Sequence, residues 1–332
     1  MNNTYTDITI YLIYESRDDW IVRHEILNNN KFYSRFLASE KEIKIIQNIL
    51  EDSYFKVEVL MYPHYSMKQI NNIISQDNKI IVWNLTDGYE LFIGAHIPSF
   101  VHFFNKPYIG SSSFVQILCQ NKHMTKSILN DMGITTPKWI SIDINDDINT
   151  LKFDTLDYPF FIKPSKFDNS IGTEFIEPIA KNHNDAINKI KDLKENGIDD
   201  ILIEEYIEGE EITIAAINTD KWYILPIIRH YDGDYISSYS KDNEKGFLKN
   251  QTICNDINLV ELGQKIINIL DIKDYCRIDL KVKNNKFYIL EVNSATFLTT
   301  VSFEILAKEF FTDTKNMFKN LILNSYTRQQ EL

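Results

Sequence analysis

The chain has 332 residues, which is enough for two or three domains with hydrophobic cores. Its 44% hydrophobic and 25% charged residues are typical of a globular protein, and its net charge of −12 argues against a nucleic acid partner. Three scattered cysteines are too few for a disulfide framework or a zinc site, and the polar start without a long apolar run predicts a cytoplasmic protein with no membrane partner.

The amino-terminal third has the pattern of an open α/β domain, which we place at residues 1–115. Residues 8–14, 56–61 and 79–83 are rich in β-branched and apolar side chains, as strands are. Residues 40–51 carry apolar side chains at helical spacing between the first two strands. A strand, a helix and a second strand in this order predict a βαβ unit.

The remaining chain mixes helix and strand patterns, which we divide into a central lobe at 116–206 and a carboxy-terminal lobe at 207–332. The central lobe has a helical pattern at 114–131 that stops at Gly133, a charged helix at 185–195, and strands near 138–142, 160–163 and 175. The last lobe has a closing helix at 303–323 and strands near 212–217, 222–228, 276–282 and 286–292.

Four motifs in the second two-thirds of the chain supply cations and oxygen ligands. Lys163 ends the apolar strand of the first motif, at 158–164, and the second motif, at 201–211, is a strand followed by acids. The other two are Arg277-Ile-Asp and Glu291-Val-Asn, on neighbouring strands. Phosphoryl transfer needs positive charge on phosphate oxygens and hard oxygen ligands for Mg²⁺. The set therefore predicts a site for ATP and Mg²⁺.

The two carboxy-terminal motifs form the most specific part of this pattern. A turn at 284–285 predicts a hairpin, in which alternation puts Glu291 and Asn293 on one face and Arg277 on the face of Asp279. If Asp279 lies opposite, three oxygen ligands converge on Mg²⁺, and Arg277 can hold the transferred phosphate. The alternative is cross-strand charge pairing on an exposed sheet face.

The order and spacing of the motifs resemble the ATP-grasp superfamily and, within it, the D-alanine–D-alanine ligase group of carboxylate-amine ligases. The resemblance covers roughly residues 83–302. It implies a mixed α/β (α+β) ATP-grasp fold, in which three subdomains hold the nucleotide between two α+β lobes. It also implies an ADP-forming enzyme that uses ATP and Mg²⁺, or Mn²⁺, to join a small-molecule carboxylate and an amine through an amide bond.

The resemblance assigns nucleotide contacts to Lys122, Lys163, Ser170, Glu204, Glu205, Ile207 and Glu211. Ser170 lies in a loop at 165–173 that resembles the phosphate-covering loop of the family. The Glu204 side chain and the Glu205 backbone would accept hydrogen bonds from adenine, the Ile207 amide would donate one, and Glu211 would hold the ribose hydroxyls. Read without the resemblance, Lys163 is a surface lysine at a strand end and the acids form a hydrated loop.

Metal binding is assigned to Asp279, Glu291 and Asn293, and catalysis to Arg277 and Lys241. Arg277 would also stabilise the charge of a tetrahedral intermediate. Lys241 lies where related ligases have a lysine on a mobile lid near the terminal phosphate. The surrounding polar segment, 229–250, fits an ordinary surface loop equally well.

The half of the site that would hold amino acids departs from the family pattern. Glu15 is near the position of a glutamate that holds the first substrate, but the glycine-rich context is missing, and Thr296-Phe297 replaces a Pro-Gly whose amide polarises the reacting carbonyl. Ser302 remains where a serine binds the acceptor carboxylate. We therefore expect a substrate pair other than two D-alanines.

Three other readings stay open for the same scaffold. They are a true D-alanine–D-alanine ligase, a phosphotransferase that needs no amine, and a regulatory protein that binds the nucleotide without turnover. Related ligases are often homodimers, and the apolar segment from Phe100 to Phe104 is a candidate interface, although a sequence does not separate an interface from core.

Overall fold

The computed structural model describes residues 7–16, 39–62, 64–76, 79–86, 93–143, 145–166, 176–198, 200–230 and 251–330. Three sheets organise this part of the chain, one in each third. The predicted strand near residue 175 lies outside the described residues. The predicted domain boundaries stay a prediction.

The first sheet is parallel and has the strand order β2-β1-β3-β4. Every residue of β1 is buried, which explains why its sequence is an almost continuous apolar run. The strands and helices of this region are β1 (Thr9–Glu15), α1 (Glu40–Asp52), β2 (Lys56–Tyr62), α2 (Met67–Gln76), β3 (Ile80–Asn84), α3 (Ile93–Phe103) and β4 (Tyr108–Ile109).

The prediction of a single helix at 114–131 was wrong, because the structure has two helices there, α4 (Ser113–Gln120) and α5 (Lys122–Asp131). Asn121 between them has extended backbone angles, and its side-chain amide donates to the Ile117 carbonyl. The Lys122 N–H donates to the Ser165 carbonyl at 3.2 Å. The break therefore starts a new helix at Lys122 and fastens it to the end of a strand in the second sheet.

The second sheet is antiparallel and has the strand order β5-β8-β6-β7, with one long helix packed on it. Strands β6 and β8 pair so that Lys163 lies opposite Leu202 and Phe161 lies opposite Glu204. The elements are β5 (Trp139–Ile142), a 3₁₀ turn (Ile148–Thr150), β6 (Phe160–Pro164), β7 (Ile179–Ala180), α6 (His183–Glu195) and β8 (Ile201–Glu205).

The third sheet is antiparallel, with the order β11-β10-β9-β12-β13. The helix α7 (Ile257–Ile269) was not predicted from the sequence. The predicted closing helix at 303–323 is two helices in the structure, because Thr312 between them has a φ of +77°. The elements are β9 (Glu210–Asn218), β10 (Trp222–Arg229), β11 (Gln251–Ile253), α7 (Ile257–Ile269), β12 (Tyr275–Lys283), β13 (Lys286–Asn293), α8 (Val301–Phe310) and α9 (Thr314–Gln330).

One face of the third sheet has two regions of opposite character. At one end Ile217, Leu225 and Tyr275 join a hydrophobic core with the first sheet and with α8 and α9. Toward the other end the same face carries charged residues, which include Asp279 and Glu211. Within the described residues, no helix is both long and apolar enough to cross a bilayer. Phe103 is 81% exposed at the end of α3, and a homodimer stays a prediction.

Candidate active site

The β12–β13 hairpin brings the predicted metal ligands together through a β-bulge. Asn284 and Asn285 both have positive φ angles, as a two-residue type I′ turn requires. From the turn to Leu280, which pairs with Ile289, the register is regular, and it would next pair Asp279 with Leu290. A register shift inserts one residue, so that Asp279 lies opposite Glu291 instead.

The Asp279 carboxylate is buried and lies between two arginines. Its side chain is 6% exposed and accepts hydrogen bonds from the Thr213 hydroxyl and, at 3.1 Å, from Arg277 Nε. The Arg229 guanidinium lies 3.6 Å from the other carboxylate oxygen. These contacts hold the Asp279 side chain in one orientation beside two guanidinium groups.

Glu291 and Asn293 complete the predicted ligand set from the neighbouring strand. Lys122 Nζ lies 3.4 Å from Glu291 Oε2, and Arg277 Nη2 lies 3.7 Å from Glu291 Oε1. The Asn293 amide donates to Glu291 at 3.4 Å. The set has two carboxylates and one amide, and the described part of the chain holds no cluster of three His, Cys, Asp or Glu side chains suited to a metal. This donor chemistry fits Mg²⁺, which typically takes one or two carboxylates together with substrate phosphates.

Glu204 lies between two lysines at the interior of the second sheet. Its oxygens are 2.6 Å from Lys163 Nζ and 2.9 Å from Lys126 Nζ. Burial favours the neutral acid, but the two ammonium groups outweigh it and hold the pKa of Glu204 below its ordinary value. Burial lowers the pKa of Lys126 to about 8, against the opposing attraction of Glu204. Lys163 is thus an anchored, 15% exposed cation and not a free surface lysine.

The connection between the second and third sheets holds the remaining predicted nucleotide residues. Glu205 pairs with Lys138 at 3.2 Å, and its backbone continues β8. The Ile207 N–H has no hydrogen-bond acceptor among the residues that the structure describes. Glu211 is 9% exposed and accepts a hydrogen bond from Arg229 at 3.2 Å. An unengaged amide and a buried, oriented carboxylate are suited to reading a heterocycle and binding hydroxyl groups.

A continuous series of contacts joins these groups into one site. Glu204 contacts Lys126, and Lys126 donates to the Ile289 carbonyl, two residues before Glu291. Arg277 contacts both Glu291 and Asp279. Arg229 then contacts both Asp279 and Glu211. Its four acids are Glu204, Glu211, Asp279 and Glu291, and its six bases are Lys122, Lys126, Lys163, Arg229, Arg277 and Lys281. The site is locally basic in an acidic chain, as an ATP site requires.

Three of these bases were not among the predicted site residues. Lys126 completes a Lys-x-x-x-Lys pattern with Lys122, one turn earlier on α5. By the alternation of side chains along strands β10 and β12, Arg229 and Lys281 lie on the charged face of the sheet. That alternation is visible in the sequence, but it becomes informative only once the strand order β10-β9-β12 is known.

The two predicted substrate residues are buried at the ends of elements in other parts of the fold. Glu15 is buried at the end of β1, and Ser302 is buried in the first turn of α8. Within the described ranges, no hydrogen bond or ion pair joins Ser302 to the metal-ligand set. The Thr296 hydroxyl does contact the site, because it accepts a hydrogen bond from Arg277 Nη1 at 3.4 Å. Ser170 and Lys241 lie outside the described residues.

Comparisons with known proteins agree with this architecture. The D-alanine–D-alanine ligase of Aquifex aeolicus is 28% identical over 220 residues, which are 65% of this chain and 72% of that ligase. Ligase A of Bacillus cereus is 30% identical over 202 residues, 59% of this chain and 64% of the relative, so the chain spans a little under two thirds of its length.

Solved structures match over nearly the full chain. The D-alanine–D-alanine ligase of Bacillus anthracis complexed with ATP has a TM-score of 0.69 at 19% identity and covers 97% of this chain and 99% of its own. The ligase of Coxiella burnetii has a TM-score of 0.67 at 15% identity, with coverage of 98% and 97%. The fold is therefore the ATP-grasp fold that these ligases share.

A family model described as D-ala D-ala ligase C-terminus matches residues 128–323, which is more than half of the chain and includes most of the charged series. The chain therefore belongs to the D-alanine–D-alanine ligase family of the ATP-grasp superfamily, whose members are ATP- and Mg²⁺-dependent carboxylate-amine ligases that form an amide bond.

Proposed function

We propose that this ligase activates its carboxylate substrate as an acyl phosphate at the Asp279–Glu291 end of the hairpin, and that its substrate pair is not two D-alanines. The observation that supports the site is the bulge that sets Asp279 opposite Glu291, with Arg277 in contact with both. Few reactions other than phosphoryl transfer need two carboxylates and an arginine close together beside several further basic side chains.

Most residues of the series have a role in this proposal. Asp279, Glu291 and Asn293 would hold Mg²⁺, which when bound neutralises phosphate charge. Lys122 and Lys163 would supply positive charge to the phosphates, and the roles predicted for Ser170 and Lys241 are retained. The substrate carboxylate oxygen attacks the γ-phosphorus of ATP and releases ADP. The amine then attacks the acyl carbon and releases phosphate, while Arg277 stabilises the negative oxygen that forms in between.

The connection after β8 would bind the base and the ribose. The Ile207 N–H, which has no acceptor within the described ranges, would donate to a ring nitrogen, and the Glu205 backbone and the Glu204 carboxylate would accept from the exocyclic amine. Both oxygens of Glu204 already contact lysines, but an ionised carboxylate has about four acceptor sites and can take a further donor. Glu211, which Arg229 orients, would accept from the ribose hydroxyls.

The substrate proposal depends on the segment after Asn293. Thr296 contacts Arg277, and Phe297 is packed against the core shared with the first sheet. Thr296-Phe297 stands where the family pattern has Pro-Gly, so a phenylalanine side chain fills space that a glycine leaves open beside the reacting carbonyl. The alternative is a D-alanine–D-alanine ligase, and the names of the relatives favour it.

The test is ADP release from Mg²⁺-ATP with a panel of L- and D-amino acids, singly and in pairs, with mass spectrometry of the products. Turnover that needs a pair and gives their condensation mass supports the ligase and names the substrates. D-Alanyl-D-alanine as the preferred product would refute the substrate proposal alone. A phosphorylated product without an amine would refute the ligase reaction, and the Asp279→Asn variant serves as the inactive control.

A further inference from the structure

Lys281 is a buried base that the proposed reaction does not use. It lies on β12 two residues after Asp279, on the same face of the sheet, and its side chain is 8% exposed. A buried ammonium group costs several kcal/mol unless it is paired and hydrogen-bonded. Its partners therefore indicate what the side chain does.

Three contacts of Lys281 join it to the connection between the two nucleotide-binding sheets. Lys281 Nζ donates to the Gly209 carbonyl at 3.3 Å and lies 3.9 Å from Glu211 Oε2. It also lies 6.0 Å from the centre of the Tyr206 ring, within the range of a cation–π contact. One ammonium group thus contacts the beginning and the end of residues 206–211.

The backbone geometry shows that this connection is pressed against β12. A Cβ atom at Gly209 would overlap the Val282 carbonyl oxygen, so only glycine fits there. Glu211 is also held from its other oxygen, because Arg229 donates to Oε1 while Lys281 faces Oε2. The carboxylate is therefore oriented by two cations from two different strands.

We propose that Lys281 is a positioning residue for the nucleotide, which sets the path of residues 206–211 and the orientation of the Glu211 carboxylate toward the ribose. This inference rests on the proposed nucleotide site and deepens it. Lys281 acts through Gly209 and Glu211 and touches neither the phosphates nor the metal ligands in this role. Its loss should therefore weaken nucleotide binding and leave the chemical step nearly intact.

The experiment compares Lys281→Met, which keeps the length of the side chain, with wild type and with Lys283→Met. Lys283 lies on the same strand and face, next to the turn, and has no part in the site. Binding of Mg²⁺-ATP is measured by calorimetry and turnover by ADP release. We expect Lys281→Met to raise Kd and KM for ATP at least tenfold with kcat within threefold, Lys281→Arg to recover most of the loss, and Lys283→Met to match wild type.

Two further measurements separate positioning from a general structural role. With 2′,3′-dideoxy-ATP, which lacks the ribose hydroxyls, the loss caused by Lys281→Met should shrink to less than threefold. The double variant with Glu211→Gln should bind ATP no more weakly than Glu211→Gln alone. If Lys281→Met does not fold, Lys281→Gln tests the Glu211 part of the proposal, because it removes the charge that faces Glu211 and keeps a polar side chain.

The outcomes distinguish this inference from the proposed function. Wild-type protein that does not bind Mg²⁺-ATP refutes the nucleotide site itself. Wild-type binding with an unchanged Kd in Lys281→Met overturns the role of Lys281 and leaves the site intact. Equal losses with ATP and the dideoxy analogue, or additive losses with Glu211→Gln, overturn it as well, because they show that Lys281 does not act through the ribose carboxylate.

Discussion

Removal of Arg328 should destabilise the protein by an amount that grows with pH. Arg328 on α9 donates to both oxygens of Asp274, at 2.8 and 2.9 Å, and the Gly110 N–H donates to the same carboxylate at 2.7 Å. Asp274 is fully buried and directly precedes β12. The contact therefore ties the carboxy-terminal helix and the end of the first sheet to the strand that carries Arg277 and Asp279.

The magnitude follows from the burial of the two partners. Breaking a buried ion pair costs about 3–5 kcal/mol, and because the Arg328 side chain is 31% exposed we expect Arg328→Met to fall at the lower end, about 3 kcal/mol at pH 8.5. The matched control is Lys273→Met, because the pair of Lys273 with Asp271 is exposed and should contribute less than about 1 kcal/mol.

The pH dependence follows from the Asp274 carboxyl. Burial raises its pKa above the ordinary 3.8, against the opposing charge of Arg328. The folded state thus holds this proton to a higher pH than the unfolded state, so the contribution of the group to stability is present below pH 3.8 and is lost as the pH rises through the folded pKa. Without Arg328 the folded pKa rises further, which extends the loss toward neutral pH.

The assay is urea unfolding of both variants and wild type at pH 6 and pH 8.5, followed by tryptophan fluorescence. Trp83 is a local probe, because its indole N–H donates to the hydroxyl of Tyr275, the residue after Asp274. The cost of Arg328→Met should fall at pH 6 by up to about 1.4 kcal/mol for each pH unit in which only the variant binds the proton. A cost that is equal at both pH values would refute the buried-charge argument.

Three further predictions concern the site. Glu204→Gln should destabilise the protein by about 3 kcal/mol at pH 7, and by less at pH 9 because its buried partner Lys126, with a pKa of about 8 even beside the carboxylate, then loses its proton. Gly209→Ala should weaken ATP binding at least tenfold by calorimetry, because its Cβ displaces the connection from Val282. Chelation of Mg²⁺ with EDTA should abolish ADP release, and restored Mg²⁺ should recover it in wild type but not in Asp279→Asn.

Each of these has an outcome that contradicts it. Equal stability of Glu204→Gln and wild type at pH 7 would show that the two lysines do not need the carboxylate. Unchanged ATP affinity in Gly209→Ala, with the exposed neighbour variant Glu208→Ala as the control, would show that the connection moves freely. Full activity of Asp279→Asn would remove this residue from the metal-ligand set.

Local sequence patterns predicted much of the fold. The turn Asn284-Asn285 predicted the hairpin because both residues adopt positive φ readily, and the alternation of β12 predicted which residues share a face. The bulge that inserts Leu290 has no such signal, because it depends on how β13 pairs and not on its composition. The helix break at Asn121 was missed for a similar reason, since it depends on the hydrogen bond from Lys122 to the Ser165 carbonyl.

The missed bases show the same limit at the site. Arg229 and Lys281 lie 52 residues apart in the sequence, and they meet at Glu211 only because β10 and β12 flank β9 on opposite sides. Nothing within either strand identifies the shared partner. The sequence of one strand shows which of its side chains share a face. Their partners on the neighbouring strands depend on the order of the strands, which is a property of the whole sheet.

Each of the four acids of the site is paired with a base, which explains how the site can hold six cations before a polyanionic nucleotide binds. Asp279 and Glu291 would repel each other across the hairpin, but Arg277 contacts both and Lys122 neutralises Glu291. With six bases to four acids, the site keeps a net positive charge after all the pairs are formed. When Mg²⁺-ATP binds, the carboxylates would pair with Mg²⁺, and the arginine and lysines would pair with the phosphates. Each ion pair of the site is thus replaced by another, and binding is favourable only when Mg²⁺ and the phosphates arrive together.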